Sequence, residues 1–221
     1  MPDLFISYSR KDKVFINKLH DALVTAQRDV WVDYEDIPLS ADWWAEIEAA
    51  IQGSNAFIFV ISPDSIISEV CAREIDCAVT NNKRMIPLLH REVEAKAVPA
   101  CVASLNWIFM REEDPFDQAV ASLIETMDTD LTWVKAHTRL IQRATEWDRR
   151  GRNASLLLRG DDLVWAERML MQAGKEPPLT ELQAAYICSS RRSADKRQRL
   201  VFGAITFGLV VAIILVLVAF M

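Results

Sequence analysis

Between residues 3 and 127 the chain alternates two kinds of apolar patterning, and that alternation leaves few folds open. Five short runs, Leu4-Phe5-Ile6, Val30-Trp31-Val32, Ala56 to Ile61, Met85 to Leu89 and Trp107 to Met110, are rich in β-branched and aromatic side chains. Continuous hydrophobicity of that length suits a strand covered on both faces. Between the runs lie amphipathic stretches. Val14, Ile16, Leu19 and Leu23 recur at helical spacing, as do Trp43, Trp44, Ile47 and Ile51. A third helix is expected after Ser68, and Pro115 opens a fourth before Phe116 to Met127. The connection from Arg91 to Leu105, interrupted by Pro99, has no clear pattern. Strands alternating with helices predict an α/β fold, a doubly wound five-stranded parallel sheet.

Beyond residue 130 the strand signal vanishes. Leu131, Val134, Leu140, Ile141, Ala144 and Trp147 fit one helix face. A second helix fits Asp161 to Ala173, with Asp161 as N-cap and Gly174 as stop. A third starts near Thr180, where Thr180-Glu181-Leu182-Gln183 resembles a capping box. Residues 129–190 are therefore expected to form a small helical module. Residues 191–200 hold five basic side chains, Arg191, Arg192, Lys196, Arg197 and Arg199, against one acid, Asp195. The run 201–221 carries no charge, and as a helix it would reach roughly 31 Å, enough for one transmembrane helix. Positive residues stay on the cytoplasmic side of a span, which predicts a single-pass membrane protein with residues 1–190 in the cytoplasm. Met1-Pro2-Asp3-Leu4 lacks the basic and apolar regions of a signal peptide. The chain ends flush with the uncharged run, as either a tail anchor or a piece of a longer protein would.

Of 25 basic and 31 acidic residues, the 191–200 segment holds five and one, leaving 20 against 30 elsewhere. Such an acidic body excludes nucleic acid as a partner, because phosphate neutralisation needs a basic face. Cys71, Cys77, Cys101 and Cys188 form no CxxC pair, and His20, His90 and His137 are scattered. No metal site is expected, and most of the cysteines read as small buried hydrophobes.

A doubly wound sheet binds ligands at the carboxyl ends of its strands. There is no GxGxxG and no GxxxxGK[ST], so a resident dinucleotide cofactor and a P-loop are excluded. A receiver domain would need paired acids after the first strand and an aspartate ending the third. Those positions read Ser7-Tyr8-Ser9 and Ser62-Pro63. The first strand ends in Phe5-Ile6-Ser7-Tyr8-Ser9-Arg10, and the second leads into Asp33-Tyr34-Glu35-Asp36-Ile37-Pro38-Leu39-Ser40. The third is followed by Ser68-x-x-Cys71-x-x-Glu74. These three ordered motifs, over residues 1–128, resemble the Toll/interleukin receptor (TIR) domain, with its flavodoxin-like fold, its FISYS-type box and its loop after strand two. Residues 130–200 look, more loosely, like the segment that follows bacterial TIR domains ahead of a membrane span.

The resemblance implies NAD⁺ as substrate, with no cofactor, cleaved to nicotinamide and linear or cyclic ADP-ribose in signalling or bacterial defence. The nicotinamide leaves readily, so one carboxylate facing the ribosyl cation suffices. The family glutamate corresponds to Glu74. A lone helix glutamate is more often an exposed acid, but within Ser68-x-x-Cys71-x-x-Glu74 catalysis is favoured. Replacing it with alanine is expected to abolish turnover with the fold intact. Ser68 and Cys71 belong to the same motif, Ser9 and Arg10 correspond to phosphate contacts, and Trp43 to a ring near the nicotinamide. Core packing and solvated arginine are the plain alternatives for Trp43 and Arg10. Residues Asp33, Tyr34, Glu35, Asp36, Ile37 and Pro38 correspond to the segment that docks other TIR domains into a homo-oligomer. Many enzymatic members carry tryptophan where this chain has Val70, which cannot stack on a flat ring. Trp43 or Trp44 would then have to supply that contact. The alternative is a non-catalytic adaptor that recruits TIR partners at the membrane.

Overall fold

Strand parity sorts the apolar side chains of the first 128 residues into two layers. In the computed structural model, which describes residues 2–32, 43–172 and 174–219 with side chains to Leu209, five strands form one parallel sheet. They are β1 (Leu4–Ser7), β2 (Val30–Val32), β3 (Ala56–Ile61), β4 (Arg84–Leu89) and β5 (Ile108–Phe109), in the order β2-β1-β3-β4-β5. Leu4, Ile6, Ile58 and Val60 pack on one face against Ile16, Leu19 and Leu23 of α1 (Lys13–Thr25) and Leu123 of α5 (Phe116–Asp128). Phe5, Phe57, Phe59 and Ile61 face the other way, against Ile47 and Ile51 of α2 (Trp43–Gly53) and Ile75 of α3 (Glu69–Thr80). Successive strand residues point to opposite faces, so each layer follows from the odd or even set. Phe5 stacks between Trp31 and Phe57, with centroids 4.7 and 5.5 Å away. Burying such a ring contributes about 2–3 kcal/mol.

The expected doubly wound sheet is present, with differences at its margins. β5 is two residues long rather than four and pairs only with Leu88 and Leu89, past Pro87, whose nitrogen has no hydrogen to donate. The unassigned connection after β4 contains a 3₁₀ turn, Ala95–Ala97, and a short helix α4 (Ala100–Ala103) with Pro99 at its N-cap.

Two compact units divide the chain. The first comprises Met1–Gln142 with Gly174–Thr180, and the second Arg143–Ala173 with Glu181–Met221. Helix α6 (Leu131–Arg149) starts in the first, where the Trp133 indole donates to the Pro177 carbonyl at 2.9 Å. In the second, α7 (Gly160–Met171) and α8 (Glu181–Ala219) are joined through the loop before α7: Tyr186 donates to Leu156 O at 2.6 Å, and Leu158 N–H to Ser190 Oγ at 3.1 Å. The N-cap of α7 is Arg159, not Asp161. Asp161 and Asp162 instead occupy its first turn, where the positive end of the helix favours carboxylates.

Helix α8 continues unbroken from Glu181 through the basic segment to Ala219, and Val201, Phe202, Ile205, Phe207 and Leu209 are exposed. Among the described residues no helix is long and apolar enough to cross a membrane. The expected 201–221 span is thus not supported by the described residues, and from Val210 onward its side chains lie outside them. The docking segment Asp33–Pro38 also lies outside the described residues.

Candidate active site

The order of the strands places the topological switch point between β1 and β3, where a doubly wound sheet of this order receives its ligands. Ser7 ends β1. It shares the parity of Phe5, so its side chain falls on the α3 layer, and it is buried. There its Oγ donates to Glu74 Oε2 at 2.5 Å.

Helix α3 delivers Glu74 to that point by ordinary helical periodicity. Cys71, Glu74, Ile75 and Ala78 are its buried residues, spaced i, i+3, i+4 and i+7. Glu74 is 5% exposed. It is no surface acid, and alanine there would take one partner from the buried Ser7 hydroxyl and open a void. The expectation that Glu74→Ala leaves the fold intact is corrected accordingly. Glutamine keeps the shape and an acceptor.

The rest of the Ser68-x-x-Cys71-x-x-Glu74 motif has structural work beside Glu74. Ser68 Oγ caps α3 by accepting the Cys71 N–H at 3.3 Å. The Cys71 thiol donates to the Tyr8 carbonyl at 3.5 Å. Burial, followed by the nearby Glu74 charge, pushes it up to about 11, so it stays a protonated thiol at neutral pH. Cys71 is fully buried and Cys77 half-buried, whereas Cys101 and Cys188 are exposed, so burial does not extend to most of the cysteines. Ser9 caps a short 3₁₀ turn, Arg10–Asp12, and Arg10 is an exposed residue. Trp43 lies in the same apolar layer as Phe5 and Cys71, and its buried indole N–H has no partner among the described residues. The Arg73 guanidinium lies 3.9 Å over the Trp44 ring.

The opposite parity builds a second polar cluster. Ser62 follows β3, and its hydroxyl donates to the buried Asp12 carboxylate at 2.6 Å. Arg91, after β4, adds Nε and Nη2 bonds to Asp12 Oδ1 at 2.9 and 2.6 Å and reaches Asp64 at 2.6 Å. Lys11 completes the cluster at 2.6 Å from Asp64. Two acids thus balance two bases, and the loops after β1, β3 and β4 are tied together. Lys11 and Arg91 hold the Asp64 carboxyl below its usual range. Ser7 stands inside the first motif but was given no role there, and Asp12, Ser62 and Arg91 were given none either. Parity within β1 and β3 is the signal that could have separated them, since Ser7 follows the odd set of β1 and Ser62 the even set of β3.

The TIR domain family model matches residues 4–124, more than half of the chain. This chain belongs to the TIR domain family. Its TIR domain is similar to that of the Toll-related receptor TRR-2 from Hydra magnipapillata, at 25% identity over 57% of this chain and 98% of the other, with a TM-score of 0.48. It is also similar to a metazoan TIR-STING receptor from C. gigas solved with 2′,3′-cGAMP, at 23% identity over 56% of this chain and 39% of that one, with a TM-score of 0.45. No curated protein matches.

Proposed function

We propose that this TIR domain cleaves NAD⁺ to nicotinamide and ADP-ribose, with Glu74 as the carboxylate that faces the ribosyl cation. The supporting observation is a buried acid held at the carboxyl end of β1, beside the switch point. In the reaction the C1′–N bond breaks and its electron pair neutralises the pyridinium nitrogen. Water attacks C1′ and releases one proton, or a nucleophile within the product closes a ring. A carboxylate near C1′ stabilises the positive charge that develops in between, and a low-dielectric surrounding strengthens that interaction.

The proposal extends to two properties carried by sequence alone. The Asp33–Pro38 segment serves self-association, and the uncharged 201–221 run tethers the chain to a membrane with the TIR domain on the cytoplasmic face. A non-catalytic adaptor is the second reading, favoured by the low exposure of Glu74. The test is nicotinamide release from NAD⁺ by the full chain on liposomes, compared with Glu74→Gln. A loss of at least about 10²-fold, or 2.7 kcal/mol of transition-state stabilisation, is expected. A wild-type chain that releases no nicotinamide would leave the adaptor.

A further inference from the structure

We infer that the basic segment before residue 201 binds anionic phospholipid headgroups, an inference that deepens the membrane reading given above and rests on it. The segment holds five bases, and the structure separates one from the other four. Arg191 reaches Asp195, the single acid of residues 191–200, at 3.1 Å and Glu167 of α7 at 3.5 Å. Arg192, Lys196, Arg197 and Arg199 are exposed and make no ion pair among the described residues. The acid is thus answered from within the segment, and four positive charges stay on the surface.

The helix decides where those charges stand. Helix α8 runs unbroken from the basic segment into the uncharged run, so both lie on one continuous rod. Arg192, Lys196 and Arg199 are spaced i, i+4 and i+7 and share a face. At about 1.5 Å per residue, Arg199 lies roughly 3 Å, Arg197 roughly 6 Å and Lys196 roughly 8 Å along the axis from Val201, with Arg192 roughly 14 Å away. With the exposed Val201, Phe202 and Ile205 in hydrocarbon, the nearer three bases fall within about one Debye length of the headgroups. An anionic leaflet attracts each of them, whereas a zwitterionic one carries no net charge to do so. Their long stems reach the phosphates while covering the apolar rim. The remainder of the chain, 20 bases against 30 acids, disfavours nucleic acid as the occupant, because its phosphates would also meet the acidic body. A lipid surface meets the end of the helix alone.

The full chain is reconstituted into phosphatidylcholine vesicles that carry spin-labelled phosphatidylglycerol or spin-labelled phosphatidylcholine, and the fraction of immobilised label is measured. Wild type is expected to prefer phosphatidylglycerol by at least about threefold at low salt, and to lose the preference at high salt. Replacing Arg192, Lys196, Arg197 and Arg199 together by glutamine should abolish the preference. Arg199→Gln should lower it more than Arg192→Gln, and Arg191→Gln with Asp195→Asn should leave it in place. Equal immobilisation of the two lipids by wild type overturns the inference. So does a preference erased by inorganic phosphate or by a duplex oligonucleotide at equal ionic strength, which would assign the site to a soluble phosphate or to nucleic acid. Vesicle flotation separates this inference from the tether itself. A chain stripped from phosphatidylcholine by alkaline wash, but floating with phosphatidylglycerol at neutral pH, ends the span and keeps the headgroup site. A chain that floats with neither lipid ends both.

Discussion

At the scale of single residues, burial rather than motif membership sets the chemistry. Cys71 belongs to the most recognisable motif of the chain, but its thiol is buried and pushed up to about 11. It should resist alkylation in the folded protein, whereas the exposed Cys101 and Cys188 react first. Mass spectrometry after brief maleimide labelling at neutral pH checks this order, and early modification of Cys71 would contradict its placement. His137 supplies a second prediction. Its Nε2 lies 3.2 Å from the Pro178 carbonyl, and burial, reinforced by the Lys83 charge, pulls it from 6.5 to about 4. The folded state therefore keeps His137 neutral where the unfolded chain would protonate it. Its contribution to stability is fully present above pH 6.5 and is lost as pH falls through 6.5 to 4. The shift corresponds to about 3 kcal/mol. Urea titrations at pH 7 and pH 4.5 should show a smaller pH-dependent loss in His137→Gln than in wild type. Equal losses in the two proteins would mean that other groups carry the acid sensitivity.

Among elements, α3 shows how one helix combines cap, packing and acid at a fixed spacing. Val70 precedes Glu74 by four residues and is partly exposed, at 37%. A side chain there lies about one turn toward the helix N-terminus, on nearly the same face as Glu74. Trp43 is spent in the core, and one face of Trp44 is covered by Arg73. An aromatic ring at position 70 should therefore add a stacking surface that this chain lacks. Val70→Trp is expected to lower KM for NAD⁺ several-fold with kcat little changed, in line with about 1 kcal/mol for one ring contact. An unchanged KM would place the substrate's rings elsewhere. Pro38→Ala and Asp36→Arg, in the segment after β2, should lower turnover without altering Glu74 if that segment serves assembly.

For the whole molecule, the proposals of self-association and tethering make a joint prediction. Confinement to a plane raises the effective concentration of TIR domains, so a weak contact becomes populated without new interactions. Specific activity should then rise with protein density on liposomes and fall on dilution with lipid. An enzyme equally active when dilute and when crowded would end the assembly proposal. Failure of the full chain to co-sediment with vesicles would end the tethering one.

Much of the architecture is legible in the sequence. Short continuous apolar runs place the five strands, and a period of 3.6 places α1, α2, α3 and α5, because a strand covered on both faces is apolar throughout whereas a helix buries one stripe. The alternation of strand and helix determines the parallel sheet, and strand-end motifs point to α3. Other features depended on residues far apart in sequence. The length of β5 is set by its neighbour β4, and the cap of α7 by backbone geometry that its acids do not reveal. Whether Glu74 was a surface acid or a buried one turned on the approach of α3 to β1. The 71, 74, 75, 78 spacing allowed burial, but only packing supplied a donor for a carboxylate in that stripe. Local sequence determines which face of an element is apolar. Which polar groups meet once those faces close is decided by tertiary structure, because a buried hydrogen bond needs two chain segments brought within about 3 Å.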